Sequence, residues 1–306
     1  MKLSALLVFF LLAGRPYSQF WDFDHTYGEA SYQLLKLHLS PRTGSMAGAG
    51  AAMNGSALRA ADINPASASS DSGMIYLGYA LPFGEFKGKI PHLTWNVPVA
   101  GYKLFVNTRF MGIDDIRGFD EDDNPTSAYG SHTFKALAGM AGIYRNIHWG
   151  LSFGYVLNSI SYANYSSFVF DAGLQQQLLG GLWLGAALTN ADLWGSEATN
   201  PENEDPFPPT TVRMGLAYLI KVSKSIGLAI TSDARTRRDE KLNFPGGVEI
   251  NWREILFFRT GYSFSEPGAA FCLGAGIRWG RFVFDYALQR HRTLSPGNYW
   301  SLGVPF

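Results

Sequence analysis

The stretch 147–157 has the sequence IHWGLSFGYVL, and it decides the fold class. Large apolar side chains occupy every second position, from Ile147 to Leu157. The positions between them are mostly small or polar, namely His148, Gly150, Ser152, Gly154 and Val156. Because successive side chains of a β-strand point to opposite faces, the stretch predicts a strand with one large apolar face and one small face. Its length suits one tilted strand that crosses a bilayer.

The same alternation recurs in the stretches 102–111, 211–220, 256–264, 271–279 and 282–289. In each, one face carries large apolar side chains, and the other carries mostly small or charged ones. A soluble barrel has an apolar interior and a polar exterior, whereas small and charged side chains fit a lumen and aromatic bands fit lipid. The pattern favours a membrane barrel, and a soluble β-sandwich is the alternative.

About fourteen such segments fit into residues 73–306, so we predict an all-β fold, a transmembrane antiparallel β-barrel of about fourteen strands. The segments lie near 74–81, 89–97, 101–113, 132–145, 147–158, 165–177, 181–190, 210–221, 224–234, 246–253, 255–264, 269–279, 281–290 and 298–306. Two longer connections, Asp114 to Gly130 and Asp192 to Pro209, are acidic or rich in proline.

The composition excludes several classes of protein. The 306 residues include 25 Lys and Arg and 25 Asp and Glu, so the formal net charge is zero, and no long basic run offers a nucleic-acid surface. Aromatic residues make up 15% of the chain, which argues against disorder. The one cysteine, Cys272, excludes an internal disulfide framework. No histidine has metal-ligand spacing, so we expect neither a metal nor a cofactor.

The N-terminal residues 1–18 are typical of a cleavable secretory signal peptide. Lys2 provides the positive charge, and Leu3 to Gly14 is an apolar run too short to span a bilayer. No later stretch has the continuous apolar character of a membrane-spanning helix. Export together with a barrel predicts the bacterial outer membrane, with membrane lipid and the barrel-assembly machinery as partners.

Residues 19–72 precede the barrel and do not alternate well. Gly44 to Ser70 is rich in Ala, Gly, Ser, Met and Asn, with Arg59 and Asp62 as its charges. Such a segment lacks the bulk to build its own core, but it can fill a barrel lumen. We therefore predict a plug at 19–72 ahead of the barrel at 73–306, and a loose periplasmic leader is the alternative.

Two sets of barrel residues are singled out. The last strand alternates and ends on an aromatic residue, which looks like a bacterial assembly signal formed by Trp300, Leu302, Val304 and Phe306. The charges predicted to face the lumen are Lys103, Arg109, Arg145, Asp171, Arg213, Asp233, Glu249, Arg253, Arg259, Arg278 and Asp285. A salt-bridged lumen that holds the barrel closed is favoured over a substrate path.

The sequence offers little support for an enzyme. Residues 150–154 match the G-x-S-x-G nucleophile motif, which requires a sharp strand-to-helix turn. Here the motif lies inside an alternating strand, so we expect no enzyme, although a lipase that uses Ser152 and His148 is a distant alternative. The acidic run 120–124 lacks the spacing of an EF-hand, and a solvated loop is favoured over a Ca²⁺ site.

Short motifs follow one another in a fixed order, namely LLKLHLSPR (34–42), GAG (48–50), NPA (64–66), PFPP (206–209), GGVE (246–249) and RTGY (259–262). Together with Asp285-Tyr286-Ala287 and the closing strand, they resemble the PorV/PorQ family of FadL-like outer-membrane proteins, most strongly its PorQ members. The plug motif of this resemblance is Asn64-Pro65-Ala66, whose proline and asparagine also predict a turn.

The resemblance implies support for type IX protein secretion or for attachment of secreted proteins at the cell surface. The implied partners are type IX secretion components or the secreted proteins. The alternative function is FadL-like transport of hydrophobic compounds, such as long-chain fatty acids, across the outer membrane. Transport requires an apolar pocket between plug and wall and a side opening.

Overall fold

The computed structural model describes residues 30–53, 62–70, 73–82, 88–120, 122–161, 163–199, 206–264, 269–291 and 294–306. The predicted signal peptide lies outside these residues. The described residues form one sheet of sixteen strands. The strands are β1 (Met74–Leu81), β2 (Ile90–Val99), β3 (Tyr102–Ile116), β4 (Tyr129–Tyr144), β5 (Ile147–Ile160), β6 (Ala163–Leu179), β7 (Leu182–Asp192), β8 (Glu197–Thr199), β9 (Thr211–Lys221), β10 (Ile226–Arg237), β11 (Glu240–Asn243), β12 (Pro245–Trp252), β13 (Leu256–Ser263), β14 (Ala269–Trp279), β15 (Phe282–His291) and β16 (Gly297–Pro305).

The sheet closes on itself. β1 pairs antiparallel with β16 from Met74 opposite Pro305 to Leu81 opposite Asn298. The short strands β8 and β11 pair beside β6 and β10, which leaves a closed barrel of fourteen antiparallel strands. Closure leaves the barrel without a free edge strand at either end of the sheet. The predicted fold class and strand number are confirmed.

The two ends of the barrel differ in their connections. At the end where β1 begins and β16 ends, the turns are short, such as residues 100–101 between β2 and β3 and residues 145–146 between β4 and β5. At the other end, long connections join β3 to β4 and β7 to β9. We call these the short-turn end and the long-loop end. In outer-membrane barrels the short turns face the periplasm.

The alternation sets which face points outward. On β5, Leu151, Phe153 and Tyr155 are exposed on the outside, whereas Ser152 and Val156 are buried inside. The other barrel strands repeat this arrangement, with exposed rings such as Phe110, Tyr218, Phe258, Phe284 and Trp300. The large apolar face therefore forms a continuous outer band, as the sequence predicts.

The described N-terminal residues lie inside the barrel. They include a 3-10 helix at Gln33–Lys36, a one-turn helix α1 at Pro41–Gly44 and a second 3-10 helix at Pro65–Ser70. Most of their side chains are buried, although few of them are large. No helix in the described part of the chain has the length and apolar character needed to cross a membrane.

Candidate functional site

The first contact between plug and wall is ionic. Arg42 of α1 donates to both carboxylate oxygens of Glu249, from Nε to Oε2 and from Nη2 to Oε1, each at 2.9 Å. Arg259 donates through Nε to Glu249 Oε2 at 2.6 Å and through Nη1 to Asp285 Oδ1 at 2.7 Å. All four side chains are buried. We call this chain of Arg42, Glu249, Arg259 and Asp285 the arginine anchor.

Wall charges also hold the plug backbone. The buried Asp233 accepts from Gly50 N at 3.0 Å and from Ala51 N at 3.1 Å. Arg213 donates to Gly48 O at 3.2 Å and lies 3.7 Å from Asp233. A charged wall residue thus pairs with a backbone group of the opposite polarity, which fixes residues 48–51 without any charge on the plug itself.

Near the long-loop end, the plug contributes its own polar side chains. Arg235 Nη1 lies 2.8 Å from His38 Nε2. Burial, and then the nearby Arg235 cation, lower the pKa of His38 well below its ordinary value, so the neutral ring accepts this bond. Lys36 pairs with Asp239 and lies 3.6 Å from Glu240. This end of the plug is therefore tied to β10 and to the residues that follow it.

The Asn64-Pro65-Ala66 motif forms a second, uncharged contact. Asn64 Nδ2 lies within hydrogen-bond distance of three carbonyl oxygens, those of Ala51 at 2.7 Å, Leu174 at 3.2 Å and Ala186 at 3.3 Å. Its Oδ1 accepts from Ala66 N at 3.0 Å, which closes a tight turn. We call residues 64–67 the asparagine turn. It joins both plug segments to β6 and β7.

Two glycines of the wall make room for this turn. A Cβ built on Gly173 would lie 1.9 Å from Asn64 Oδ1, and one built on Gly150 would lie 2.3 Å from the Pro65 carbonyl carbon. Both glycines are on the inner face of the barrel, on β6 and β5. The asparagine turn therefore packs against the small inner face of residues 147–157.

The predicted lumen-facing charges divide into two groups. Arg109, Asp171, Arg213, Asp233, Glu249, Arg259 and Asp285 are buried inside the barrel. Arg109 pairs with Asp62 of the plug at 3.0 Å. Asp171 accepts from Ser152 Oγ at 3.1 Å and lies 3.9 Å from Lys135. These residues support a salt-bridged lumen.

The other four charges lie at the short-turn end, and the prediction that Arg145 and Arg253 face the lumen was wrong. Arg145 and Arg253 are exposed in turns, with side chains over the Tyr144 and Trp252 rings. Arg278 is on the inner face, opposite the buried Val283, but it is half-exposed and lies 3.7 Å from Glu254. Lys103 is partly exposed beside the β2–β3 turn. The alternation of a strand stops at its last paired residue, so it does not assign a face to a turn.

Ser152 and His148 do not form a catalytic pair. They are four residues apart on one strand, which separates them by about 13 Å. His148 Nδ1 lies 2.8 Å from Ser69 Oγ of the plug, while Ser152 donates to Asp171. The first contact joins the plug to the wall, and the second joins the neighbouring wall strands β5 and β6. That the chain is not an enzyme stays a prediction.

The wall is irregular between β6 and β7. Thr189 and Asn190 of β7 both lie opposite Asp171, which makes a bulge. Beyond the bulge β7 ends at Asp192, and β8 pairs with β6 again only at Asn164–Ser166. Between these pairings, Ser167 and Phe168 have no strand partner on this side in the described part of the chain.

Apolar side chains lie on both sides of this irregular wall. Outside, Trp194 is 69% exposed, and its ring centroid lies 5.6 Å from Phe153 and 5.8 Å from Phe168. These rings border a concave surface of about 740 Å³. Inside, a buried apolar cluster is formed by Tyr32, Leu35, Val156, Ala163, Tyr165 and Val169. We call the two sets the outer and inner clusters.

A small cavity also lies between the plug and the wall. This cavity of about 70 Å³ near the long-loop end is bordered by Lys36, His38, Cys272, Gln289 and His291, among others. Among the described residues, no group of acidic, histidine or cysteine side chains has a metal-site arrangement. Asp120 and Asn124 lie close together, because Asp120 Oδ1 accepts from Asn124 N at 2.8 Å.

Of the predicted assembly residues, Trp300, Leu302 and Val304 lie on β16, and Phe306 follows its last residue. Trp300 is exposed on the outer band, next to Tyr79 and Tyr286. Phe306 is 60% exposed, and its backbone donates to Gly73 O at 3.1 Å. Their part in assembly stays a prediction.

Sequence reasoning missed the plug partners Lys36, His38 and Arg42 and the outer ring Trp194. The scarcity of charge in the plug was a usable signal for Arg42, because an isolated charge inside a barrel needs a partner on the wall. No comparable signal marked Trp194, whose position depends on how β7 ends. It lies in a connection that the sequence marks only as acidic and proline-rich.

No protein-family model matches the sequence, and no curated protein matches it either. The structure is similar to the Pseudomonas putida toluene transporter TodX, with a TM-score of 0.59 and 12% identity over 91% of this chain and 98% of that one. The deltaS2 mutant of the TodX monoaromatic hydrocarbon channel has a TM-score of 0.56, with 11% identity over 87% of this chain and 98% of that one.

A Pseudomonas aeruginosa FadL homologue gives a TM-score of 0.53, with 11% identity over 86% of this chain and 97% of that one. At these identities the similarity concerns the fold. The chain therefore has the fold of FadL-like outer-membrane barrels.

Proposed function

We propose that this chain is an outer-membrane barrel that admits hydrophobic compounds in the manner of FadL-like transporters. The observation that carries the proposal is the pair of apolar clusters on either side of an irregular wall. The likeness to a toluene transporter and to a FadL homologue supports the same class of function.

The inner cluster gives an apolar molecule that enters from the long-loop end a lining of apolar side chains, once these packed side chains move apart. Tyr32 and Leu35 of the plug and Val156 and Val169 of the wall are buried there. An apolar solute gains free energy on leaving water for such a site, about 25 cal/mol per Å² of buried apolar surface.

The outer cluster lies where the molecule can leave the barrel sideways into the bilayer. Between β7 and β8 the wall lacks part of its hydrogen-bond ladder, so a local opening breaks fewer bonds than elsewhere. Trp194 and Phe168 cover this place from outside. The plug meanwhile stays attached through the arginine anchor and the asparagine turn, so the lumen need not open to water.

Uptake of labelled oleate and toluene tests the proposal, in cells that lack their own barrel for such compounds. Val169→Trp overpacks the inner cluster and should reduce uptake to background, while Tyr32→Ala opens a space in it and should increase uptake. The matched control is Val283→Trp, which adds the same ring at another buried wall valine. Heat-dependent gel migration verifies that each barrel has folded. Uptake that is the same in Val169→Trp and Val283→Trp would contradict the transport route.

A second candidate is the PorV/PorQ role in type IX secretion that the sequence resemblance implies. The observation that favours it is the polar, ion-paired contact between plug and wall, which leaves a cavity of about 70 Å³ at the long-loop end. A barrel sealed in this way would act through its loops. Deleting the gene and measuring surface-attached proteins tests this role, and their loss with unchanged uptake of oleate would favour it over transport.

A further inference from the structure

Exposed basic side chains gather at the short-turn end of the barrel. Five of them lie in or beside the short turns, namely Arg145, Lys221, Lys224, Arg253 and Arg281. The one acidic side chain in these turns, Glu254, lies 3.7 Å from Arg278. None of the five exposed cations has an acidic partner in the described ranges.

The long-loop end has the opposite charge. In the sequence, residues 114–130 contain six acidic residues and residues 192–209 contain five, against the single basic residue Arg117. The chain has no formal net charge, yet its charges are separated along the barrel axis. Such a separation gives the two ends different electrostatic partners.

The cations lie at the level of exposed aromatic rings. The Arg145 guanidinium carbon is 5.4 Å from the Tyr144 ring centroid, and that of Arg253 is 4.8 Å from the Trp252 ring centroid. Trp279, which immediately precedes the β14–β15 turn with Arg281, is 72% exposed. Aromatic rings at the end of a membrane barrel mark the headgroup region of the bilayer. Arg145, Arg253 and Arg281 are therefore at the depth of lipid phosphates, and Lys221 and Lys224 lie in or beside the β9–β10 turn at the same end of the barrel.

We propose that these five residues form a collar that binds the phosphate groups of anionic phospholipids in the leaflet at the short-turn end. Arginine and lysine side chains close to the surface attract anionic headgroups, and arginine can bind phosphate with two hydrogen bonds. The collar also holds the barrel at a fixed depth and favours one orientation in the membrane.

The distribution of the cations favours lipid over an acidic protein as the occupant. They belong to four separate turns, those between β4 and β5, β9 and β10, β12 and β13, and β14 and β15. The β9–β10, β12–β13 and β14–β15 turns are neighbours around the barrel, and the β4–β5 turn with Arg145 lies apart from them. A protein bound to the three neighbouring turns would leave out Arg145, whereas lipid headgroups surround the whole barrel.

Native mass spectrometry of the purified full-length barrel tests the collar, with equal amounts of phosphatidylglycerol and phosphatidylcholine in the micelles. We expect wild type to retain phosphatidylglycerol preferentially. In the variant R145Q/K221Q/K224Q/R281Q, the preference for phosphatidylglycerol should fall at least about fivefold, because one interfacial cation alone has an effect of that size. The control K89Q/R117Q/K241Q/R290Q removes two arginines and two lysines that are exposed near the long-loop end, and should keep the preference.

Equal loss in both variants, or no loss in either, would overturn the proposal. Should the first variant fail to assemble, the wild-type preference is measured at rising salt concentration, since screening weakens exposed charge contacts. A preference that does not change with salt would also overturn it. An acidic protein that co-purifies with wild type and is lost from the variant, with lipid preference unchanged, would assign the collar to that protein instead.

Discussion

The plug is held by two contacts of different chemistry. The arginine anchor binds α1 to β12, β13 and β15 through buried opposite charges. The asparagine turn binds residues 64–67 to β5, β6 and β7 through an uncharged amide and two glycines. Both contacts lie inside the same barrel, so the difference in their chemistry comes from the side chains that form them.

The two contacts should fail in different ways. A buried ion pair is weakened most when one partner is removed, because a charge then remains without compensation. A close backbone contact is weakened most when volume is added, because neither backbone can move away easily. Removing a charge and adding a methyl group therefore distinguish the two contacts.

The largest effect is expected from Arg259→Met. The substitution leaves Glu249 and Asp285 without the guanidinium that joins them, at a cost of about 3–5 kcal/mol in the free energy of unfolding. Urea unfolding in lipid vesicles measures this. The control is Arg278→Met, a half-exposed strand arginine whose loss should cost under about 1 kcal/mol. Equal losses of unfolding free energy in the two variants would show that burial does not strengthen the arginine anchor.

The next effect is expected from Asn64→Asp. Three carbonyl oxygens surround Asn64 Nδ2, so a carboxylate in its place faces acceptors and has no proton to donate. Asn64→Ala only removes the donor and should cost about 1–3 kcal/mol. The aspartate variant should be less stable than the alanine variant in the same urea experiment. The reverse order would mean that the amide does not donate to these carbonyls.

A smaller effect is expected from Gly173→Ala and Gly150→Ala. Each added methyl group overlaps the asparagine turn, so each variant should lose about 1–3 kcal/mol and conduct ions when the turn is displaced. Planar-bilayer conductance measures the displacement. Gly246→Ala is the control, because the nearest atom to its Cβ would be 3.6 Å away. Conductance no higher than in that control would contradict the role of these glycines as a seat.

The smallest effect is expected from Ser152→Ala. Its hydroxyl donates to Asp171, but Asp171 also accepts from Asn190 N at 2.6 Å, so the carboxylate keeps a donor. The loss should be about 0.5–1.5 kcal/mol, with unchanged uptake of oleate. An esterase activity that this variant alone abolishes would contradict the non-enzymatic interpretation.

Much of the fold follows from local alternation. The segment predicted near 147–158 became β5 at Ile147–Ile160, because period-two patterning fixes both the strand and its outward face. The same rule failed at Arg145 and Arg253, which follow the last paired residues of β4 and β12. Part of the site was also predictable, since Arg109, Asp171, Glu249 and Arg259 were expected inside the barrel.

The sequence alone determined the barrel, the approximate number of its strands, the outward position of the large side chains and the turn at Asn64-Pro65-Ala66. These properties depend on neighbours one to three residues apart. Only the tertiary structure decided that Arg42 meets Glu249, 207 positions away, that Gly150 and Gly173 receive Asn64 and Pro65, and that Trp194 covers a break in the wall. Those contacts depend on how the barrel closes and where each strand ends, and local periodicity carries no information about either.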